Sequence, residues 1–295
     1  MRLRNELLDL IDRRLFVGGA LAVGAMSART ARAHDAAEAL ADLEKSLGAR
    51  LGVAMRDTGG GARIEYRADE RFPLASTFKF LAAGAVLAKV DSGRDGLDRR
   101  VRYGKSDLVT YSPETEKHTG EGMTLAGLCE AAITLSDNTA GNLMLAAIGG
   151  PVGLTGFVRS LGDGVTRLDR IETELNEARP GDPRDTTSPA AMLGDLEKLL
   201  LGDALSAASR ERLMGWLIAN RTGDARLRAG LPKDWRVGDK TGSGGHGAAN
   251  DIAIAWPPGR KPVLIAAYLA ECDRNPEQRS EALAEVARIL TAHPH

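Results

Sequence analysis

Pro73-Leu74-Ala75-Ser76-Thr77-Phe78-Lys79-Phe80, continued by LAAGAVLAKV to Val90, is the stretch on which the reading of this chain turns. From Phe78 to Ala88 every residue except Lys79 is apolar or glycine. A run that is apolar on all sides predicts a helix buried in the interior, not one lying on a surface. Lysine in such a helix needs partners, because an isolated buried ammonium is expensive. The nearest is Ser76, three residues back and on the same face. A lysine desolvated by its surroundings can have its pKa lowered enough to take the proton of a serine hydroxyl, making it a nucleophile. The competing reading is a lysine that snorkels to the surface beside a serine that only caps the helix. The tetrapeptide alone leaves both open.

Outward from this helix the pattern changes. Residues 35–47 carry apolar positions at helical spacing and end at Gly48. LGVAMRD and ARIEYRA then read as strands joined by Thr58-Gly59-Gly60-Gly61, a hairpin signal. From Ser92-Gly93 to about residue 220 the pattern is mostly helical. Helices are predicted over 124–135 and 138–148, the second closed by Gly149-Gly150, then from Ser188-Pro189 and over 209–219. Three strand patterns follow, WRVGDKTG, ANDIAIAW and KPVLIAAYLA, and a final amphipathic helix over 276–292. Strands at both ends with helices between predict an α+β fold. Its five-stranded antiparallel sheet is flanked by helices and interrupted by an all-helical insertion. The expected division is residues 34–72 plus 221–295 for the α/β domain and 73–220 for the helical domain, with a ligand cleft at their junction.

At 295 residues, 43% hydrophobic and 27% charged, the chain can bury a large core and has the composition of a soluble enzyme. A net charge of −1 gives no electrostatic footprint for nucleic acid. Two cysteines and five histidines fall in no metal-binding spacing, so no metal or other cofactor is expected. Cys129, inside the apolar run LAGLCEAAITL, is expected to be a buried free thiol. Residues 1–33 hold six arginines against three acidic residues, then an apolar run from Leu15 to Met26, then Ala31-Arg32-Ala33. This is the layout of a cleavable signal peptide too short to span a bilayer. Arg13-Arg14-Leu15-Phe16 points to the twin-arginine export machinery as its reader, with an ordinary Sec signal as the alternative. The mature chain is expected to begin near His34 and to work outside the cytoplasm, in the periplasm or secreted.

Three further stretches carry side chains suited to catalysis. Ser136-Asp137-Asn138 breaks two helical runs. It could cap the second helix, or point a hydroxyl and an amide into the cleft. Lys240-Thr241-Gly242-Ser243-Gly244-Gly245 ends a strand. It could be a glycine turn with a solvated lysine, or a binding site for a substrate carboxylate with close backbone approach. The charged segment Arg167 to Asp185 looks like a loop whose bracketing Arg170 and Asp185 could pair and pin it shut. Inside it Glu172 and Asn176 could hold a water, the carboxylate acting as general base. Otherwise it is a solvated surface loop.

In the order S-x-x-K, S-D-N, E-x-x-L-N, K-T-G these motifs resemble the class A serine β-lactamases across essentially the whole mature chain. Arg167-Leu168-Asp169-Arg170, Asp182-Pro183-Arg184-Asp185-Thr186-Thr187 and Asn250-Asp251-Ile252-Ala253 add to the match. The resemblance implies a monomer that hydrolyses the strained amide of penicillins and cephalosporins through an acyl-enzyme, conferring antibiotic resistance. It implies Ser76 as nucleophile, Lys79 or Glu172 as acylation base, and Ser136 as proton relay to the leaving nitrogen. Glu172 and Asn176 would activate the deacylating water. Backbone amides of Ser76 and Ser243 would form the oxyanion hole. Asn138 would bind the drug's side-chain amide, Lys240, Thr241 and Ser243 its carboxylate along the Gly242 strand, and Tyr111 would wall the cleft.

The chain departs from the family in places. The strand after K-T-G lacks the arginine many members have, and Arg226 in Thr222-Gly-Asp-Ala-Arg226 is assigned that role. Thr173, not the usual proline, follows Glu172, which leaves the cis or trans state of that bond open. Cys129 matches half of a family disulfide, but Ala83 stands at the partner position. Ser243 and Gly244-Gly245 are read as leaving the cleft edge open to bulky cephalosporins. Two rivals share part of the pattern: a cell-wall D,D-transpeptidase or carboxypeptidase, and a penicillin-sensing domain that stays acylated. Both are argued against by the Glu172–Asn176 loop, since neither needs a deacylating carboxylate.

Overall fold

β-Branched and apolar residues alternating over two faces make the central layer. The computed structural model describes residues 33–61 and 63–292, so the expected signal peptide lies, but for Ala33, outside the described residues. Strands β1 (Arg50–Asp57), β2 (Arg63–Tyr66), β7 (Arg236–Ser243), β8 (Ala249–Trp256) and β9 (Val263–Ala270) form one antiparallel sheet in the order β2-β1-β9-β8-β7. The α+β expectation, with the first and last strands sharing a five-stranded sheet, holds. β9 is buried from end to end and its side chains divide by parity. Val263, Ile265, Ala267 and Leu269 pack with α1 (residues 33–47) and α9 (Pro276–Thr291). Leu264, Ala266, Tyr268 and Ala270 face the helical layer on the opposite side. That alternation is what a strand covered on both faces requires.

The helical layer is built around α2 (Phe78–Asp91), whose residues are buried from Phe78 through Leu87. Around it pack α3 (Leu125–Thr134), α4 (Asn138–Ile148), α5 (Gly150–Ser160), α6 (Pro189–Leu200) and α7 (Ala207–Ile218). Short pairs tie its loops: β3 (Phe72–Pro73) with β6 (Thr186–Thr187), and β4 (Arg100–Val101) with β5 (Met123–Thr124). A single turn, α8 (Leu227–Gly230), precedes β7.

One helix went unread and one boundary needed correction. Gly149, in the left-handed region at φ 95°, ends α4 where expected, and Pro151 in the first turn at once starts α5, a helix the sequence reading did not give. α7 begins at Ala207, before the expected residue 209, because Ser206 caps it by accepting from Ser209 N, and Asp91 of α2 accepts from Ser206 N, Ser206 Oγ and Ser209 Oγ. The serine cap is a local signal, while the Asp91 anchor is 115 positions away.

Candidate active site

Ser76 sits not in α2 but in the 3₁₀ turn Ala75–Thr77 that enters it. Leu74 N donates to Asp185 O at 2.8 Å, and Thr77 Oγ1 donates to Leu74 O at 2.6 Å, which holds the tighter turn. Because residues i and i+3 eclipse in a 3₁₀ turn, Ser76 still faces Lys79. Lys79 is fully buried, so the snorkelling reading is excluded. Its Nζ donates to Ser76 Oγ at 2.9 Å, Asn138 Oδ1 at 2.7 Å and Ser136 O at 2.9 Å, and pairs with Glu172 Oε1 at 2.9 Å. Burial lowers the Lys79 pKa, and the Glu172 charge opposes that lowering.

Asp137 shows why the S-D-N break has its shape. Its carboxylate caps α4 by accepting from Ala140 N at 2.8 Å, and also accepts from the backbone amides of Glu114 and Thr115 and from Thr115 Oγ1. So the capping reading holds for Asp137, while its two neighbours are turned to the site. Ser136, at φ 59°, brings its Oγ to 3.0 Å from Lys240 Nζ and 3.5 Å from Lys79 Nζ. Asn138 donates Nδ2 to Thr110 O at 2.8 Å, and its backbone N to Tyr111 O. Tyr111 itself is 58% exposed at the mouth.

Lys240 is buried too, so it is no solvated turn residue. Burial pushes its pKa well down, and the Lys79 charge adds to the effect. β7 is the edge strand of the sheet, so its outer edge faces the cleft without a strand partner. Arg226 donates to Gly242 O and Asn250 O at 2.7 Å each, and to Ser243 Oγ at 2.7 Å. An arginine reaching the carboxylate end from outside the following strand was expected. Its bonds fix it behind Ser243.

The 167–185 loop is pinned as anticipated. Arg170 Nε lies 2.6 Å from Asp185 Oδ2, and Asp185 Oδ1 accepts from the backbone amides of Asp169 and Arg170. Glu172 is 3% exposed, not a solvated loop residue. Its Oε1 is 3.4 Å from Ser76 Oγ, and its Oε2 accepts from Asn176 Nδ2 at 2.5 Å. Asn176 Oδ1 is buried without a partner among the described residues, leaving an acceptor beside the carboxylate. The Glu172–Thr173 peptide bond is cis.

Sequence reasoning missed Asn142. Its Oδ1 accepts from Glu172 N at 2.8 Å and its Nδ2 donates to Glu172 O at 3.0 Å, gripping both sides of the glutamate's backbone. Four residues past Asn138, it occupies the same face of α4, the one signal that could have found it. The reading of Gly244-Gly245 as open space is corrected. Cβ atoms there would lie 3.0 Å from Asn176 O and 2.5 Å from Glu177 O. Gly245 N donates to Asn176 O at 2.8 Å, so the glycines let the β7–β8 turn dock on the loop. Cys129 and Cys272 are both buried and free, and burial pushes the Cys129 thiol far up.

Ser76, Tyr111, Ser136, Asn138, Asn176, Thr222, Arg226, Thr241, Gly242 and Ser243 line one cleft of about 290 Å³ between the helical layer and β7. Lys79, Glu172 and Lys240 lie immediately beneath its surface. Every residue expected at the site meets there, with Thr222 in addition. The arrangement offers a serine next to a desolvated amine, a buried carboxylate within reach of both the amine and the serine, and a cationic end suited to a carboxylate.

The family model described as Beta-lactamase enzyme family matches residues 35–293. Beta-lactamase AST-1 of Nocardia asteroides is 53% identical over 250 residues, covering 85% of this chain and 81% of its own. Beta-lactamase CTX-M-8 of Citrobacter amalonaticus is 50% identical over 261 residues, covering 88% and 90%. Among solved structures, the ancestral (GNCA) class A beta-lactamase superposes with a TM-score of 0.86 at 65% identity, covering 87% of this chain and 99% of that one.

Proposed function

This chain belongs to the beta-lactamase enzyme family as a class A serine enzyme that hydrolyses the β-lactam amide, and from that premise we propose what each side chain does. Ser76 Oγ attacks the ring carbonyl carbon, and its proton passes to Lys79, whose neutral form burial favours. Glu172, acting through a water, offers a second route for the same proton. The backbone amides of Ser76 and Ser243 receive the charge that develops on the carbonyl oxygen. As the C–N bond breaks, Ser136 gives its proton to the leaving nitrogen. It is reprimed by the proton that Lys79 took from Ser76. A water then loses a proton to Glu172, attacks the ester carbon and expels Ser76 Oγ, and the proton on Glu172 returns through Lys79 to Ser76.

In this reading Asn176 orients the water and Asn142 fixes the glutamate's backbone. Asn138 binds the substrate's side-chain amide, and Tyr111 walls the entrance. Lys240, Thr241, Ser243 and Arg226 receive its carboxylate. The observation that carries the reading is the buried Glu172 carboxylate 3.4 Å from Ser76 Oγ, on an element 96 residues away. Turnover of a chromogenic cephalosporin by residues 34–295 tests it. Rapid multiple turnover is expected, and a single stoichiometric burst would favour the transpeptidase or sensor.

The protein works as an exported monomer, delivered by the twin-arginine machinery through its basic leader. Loss of export in the Arg13→Lys, Arg14→Lys double variant is the expected result, and undiminished export would assign the leader to the Sec route. Breadth toward oxyimino-cephalosporins rests on the exposed Ser243 edge alone, the neighbouring glycines being occupied. Absence of oxyimino-cephalosporin hydrolysis would remove it.

A further inference from the structure

The carboxylate end of the cleft contains a hydroxyl for which the scheme above has no use. Thr222 lines the cleft, with its Oγ1 2.5 Å from Thr241 Oγ1. Behind it Thr222 Oγ1 and Thr222 N both reach Asn220 Oδ1, at 2.9 and 3.1 Å. Asn220 Nδ2 in turn donates to Asp239 Oδ2 at 2.9 Å, while Asp239 Oδ1 is held by Arg228 Nε at 2.5 Å. Asn220 and Asp239 are buried. The orientation of the Asn220 amide is therefore fixed twice. A carboxylate faces one end and an unambiguous backbone N–H faces the other, so the oxygen must point at Thr222.

A hydroxyl has one proton, and that of Thr222 lies between two acceptors, Asn220 Oδ1 and Thr241 Oγ1. When Thr222 donates to Asn220, the short contact between the two threonines requires Thr241 to donate to Thr222. The Thr241 proton is then turned away from the substrate. Ser243 differs: its Oγ accepts from Arg226, so its own proton is free for a carboxylate. For Thr241 to donate to a carboxylate it must rotate its proton outward. That would leave two hydroxyl oxygens at 2.5 Å with no proton between them unless Thr222 turns its proton onto Thr241. Asn220 Oδ1 stays satisfied in that arrangement by the Thr222 backbone N–H.

We propose that Thr222 is a positioning residue of the carboxylate pocket, a proton-switching hydroxyl seated on Asn220 that turns Thr241 into a donor when substrate arrives. It acts through Thr241 and so rests on the reading of Thr241 as a carboxylate ligand. Steady-state kinetics on a carboxylate-bearing chromogenic cephalosporin test it. Thr222→Val takes away the hydrogen bond that Thr241 Oγ1 accepts while it donates outward, and should raise KM about three- to tenfold with kcat within twofold, the size of one hydrogen bond between neutral groups. Thr222→Ser should restore the parent KM. Thr241→Val should also raise KM, and adding Thr222→Val to it should change nothing further, because the switch has lost its second hydroxyl. An unchanged KM in Thr222→Val beside a raised KM in Thr241→Val would overturn this inference and leave the carboxylate pocket standing. Additive effects in the double variant, or failure of serine to restore KM, would also overturn it. An unchanged KM in Thr241→Val would overturn the carboxylate reading itself.

Discussion

Glu172→Gln removes one charge from the buried centre while keeping the shape of the side chain. The glutamine oxygen can remain toward Lys79 Nζ, which lies 2.9 Å from the present carboxylate oxygen. Its amide then meets Asn176, whose Nδ2 now donates to Oε2 at 2.5 Å. Two donors would collide there, but the Asn176 amide can turn over and offer its presently unpartnered Oδ1. The fold should therefore survive with little change in Tm. What is lost is the general base for the water, a contribution of about 10²- to 10⁴-fold, or about 3–5 kcal/mol of barrier. Acylation should persist, because removing the Glu172 charge leaves only Asp137 to oppose burial in lowering the Lys79 pKa, which favours the neutral amine that can take the Ser76 proton. Stopped-flow mixing with a chromogenic cephalosporin should show a burst of one equivalent and then a rate lowered about 10²- to 10⁴-fold. Intact-mass spectrometry should show the drug adduct on Ser76. Steady turnover within twofold of the parent, with no adduct, would refute the division of labour between Lys79 and Glu172.

Arg170→Ala leaves the buried Asp185 carboxylate without its ion partner and takes from Glu177 one of its arginine partners, leaving it Arg179 and Arg184. Losing one partner of such a pair costs about 3 kcal/mol, so Tm should fall by about 6–12 °C, and kcat should fall as the Glu172 loop loosens. Unchanged thermal unfolding would show that the pair does not pin the loop. Asp195 is pushed up to about 9 from 3.8 by burial first and the neighbouring Asp163 charge second, and neither of its oxygens has a donor partner among the described residues. The folded state holds a proton that the unfolded chain releases, so this stabilisation is complete below pH 4 and is lost as pH rises toward 9. Asp195→Asn should accordingly raise Tm relative to the parent more at pH 8 than at pH 5, and an equal difference at both would refute the assignment. Arg226→Ala removes one cation from the carboxylate end and should raise KM about tenfold, about 1.4 kcal/mol. It should also lower Tm, since Gly242 O and Asn250 O lose their donor. An unchanged KM would confine Arg226 to a structural role.

What the sequence by itself determined is whatever is written in short-range chemistry. An all-apolar run containing one lysine predicts a buried helix, and α2 is that helix, though only the structure excluded a snorkelling lysine. Period-two runs with glycine turns give the strands, and strand patterns at both ends of the chain give one shared sheet. The four motifs named most of the side chains that meet at the cleft, because each motif is a local arrangement of groups. The tertiary structure decided which groups meet. Lys79 could have found its counter-charge in any of the chain's 40 acidic residues, and the packing of the 167–185 loop chose Glu172. Asn142 could be known as the clamp on that glutamate only when α4 was seen against the loop. Gly244 and Gly245 read as space until the backbone of residues 176 and 177 was found filling it. Thr222 was one threonine among several until its hydroxyl lay against Thr241 with Asn220 behind it. Periodicity and motif chemistry act over a few residues and can be read along the chain. Desolvation, pairing and hydrogen-bond direction depend on neighbours about a hundred positions away, and those exist only once the chain is folded.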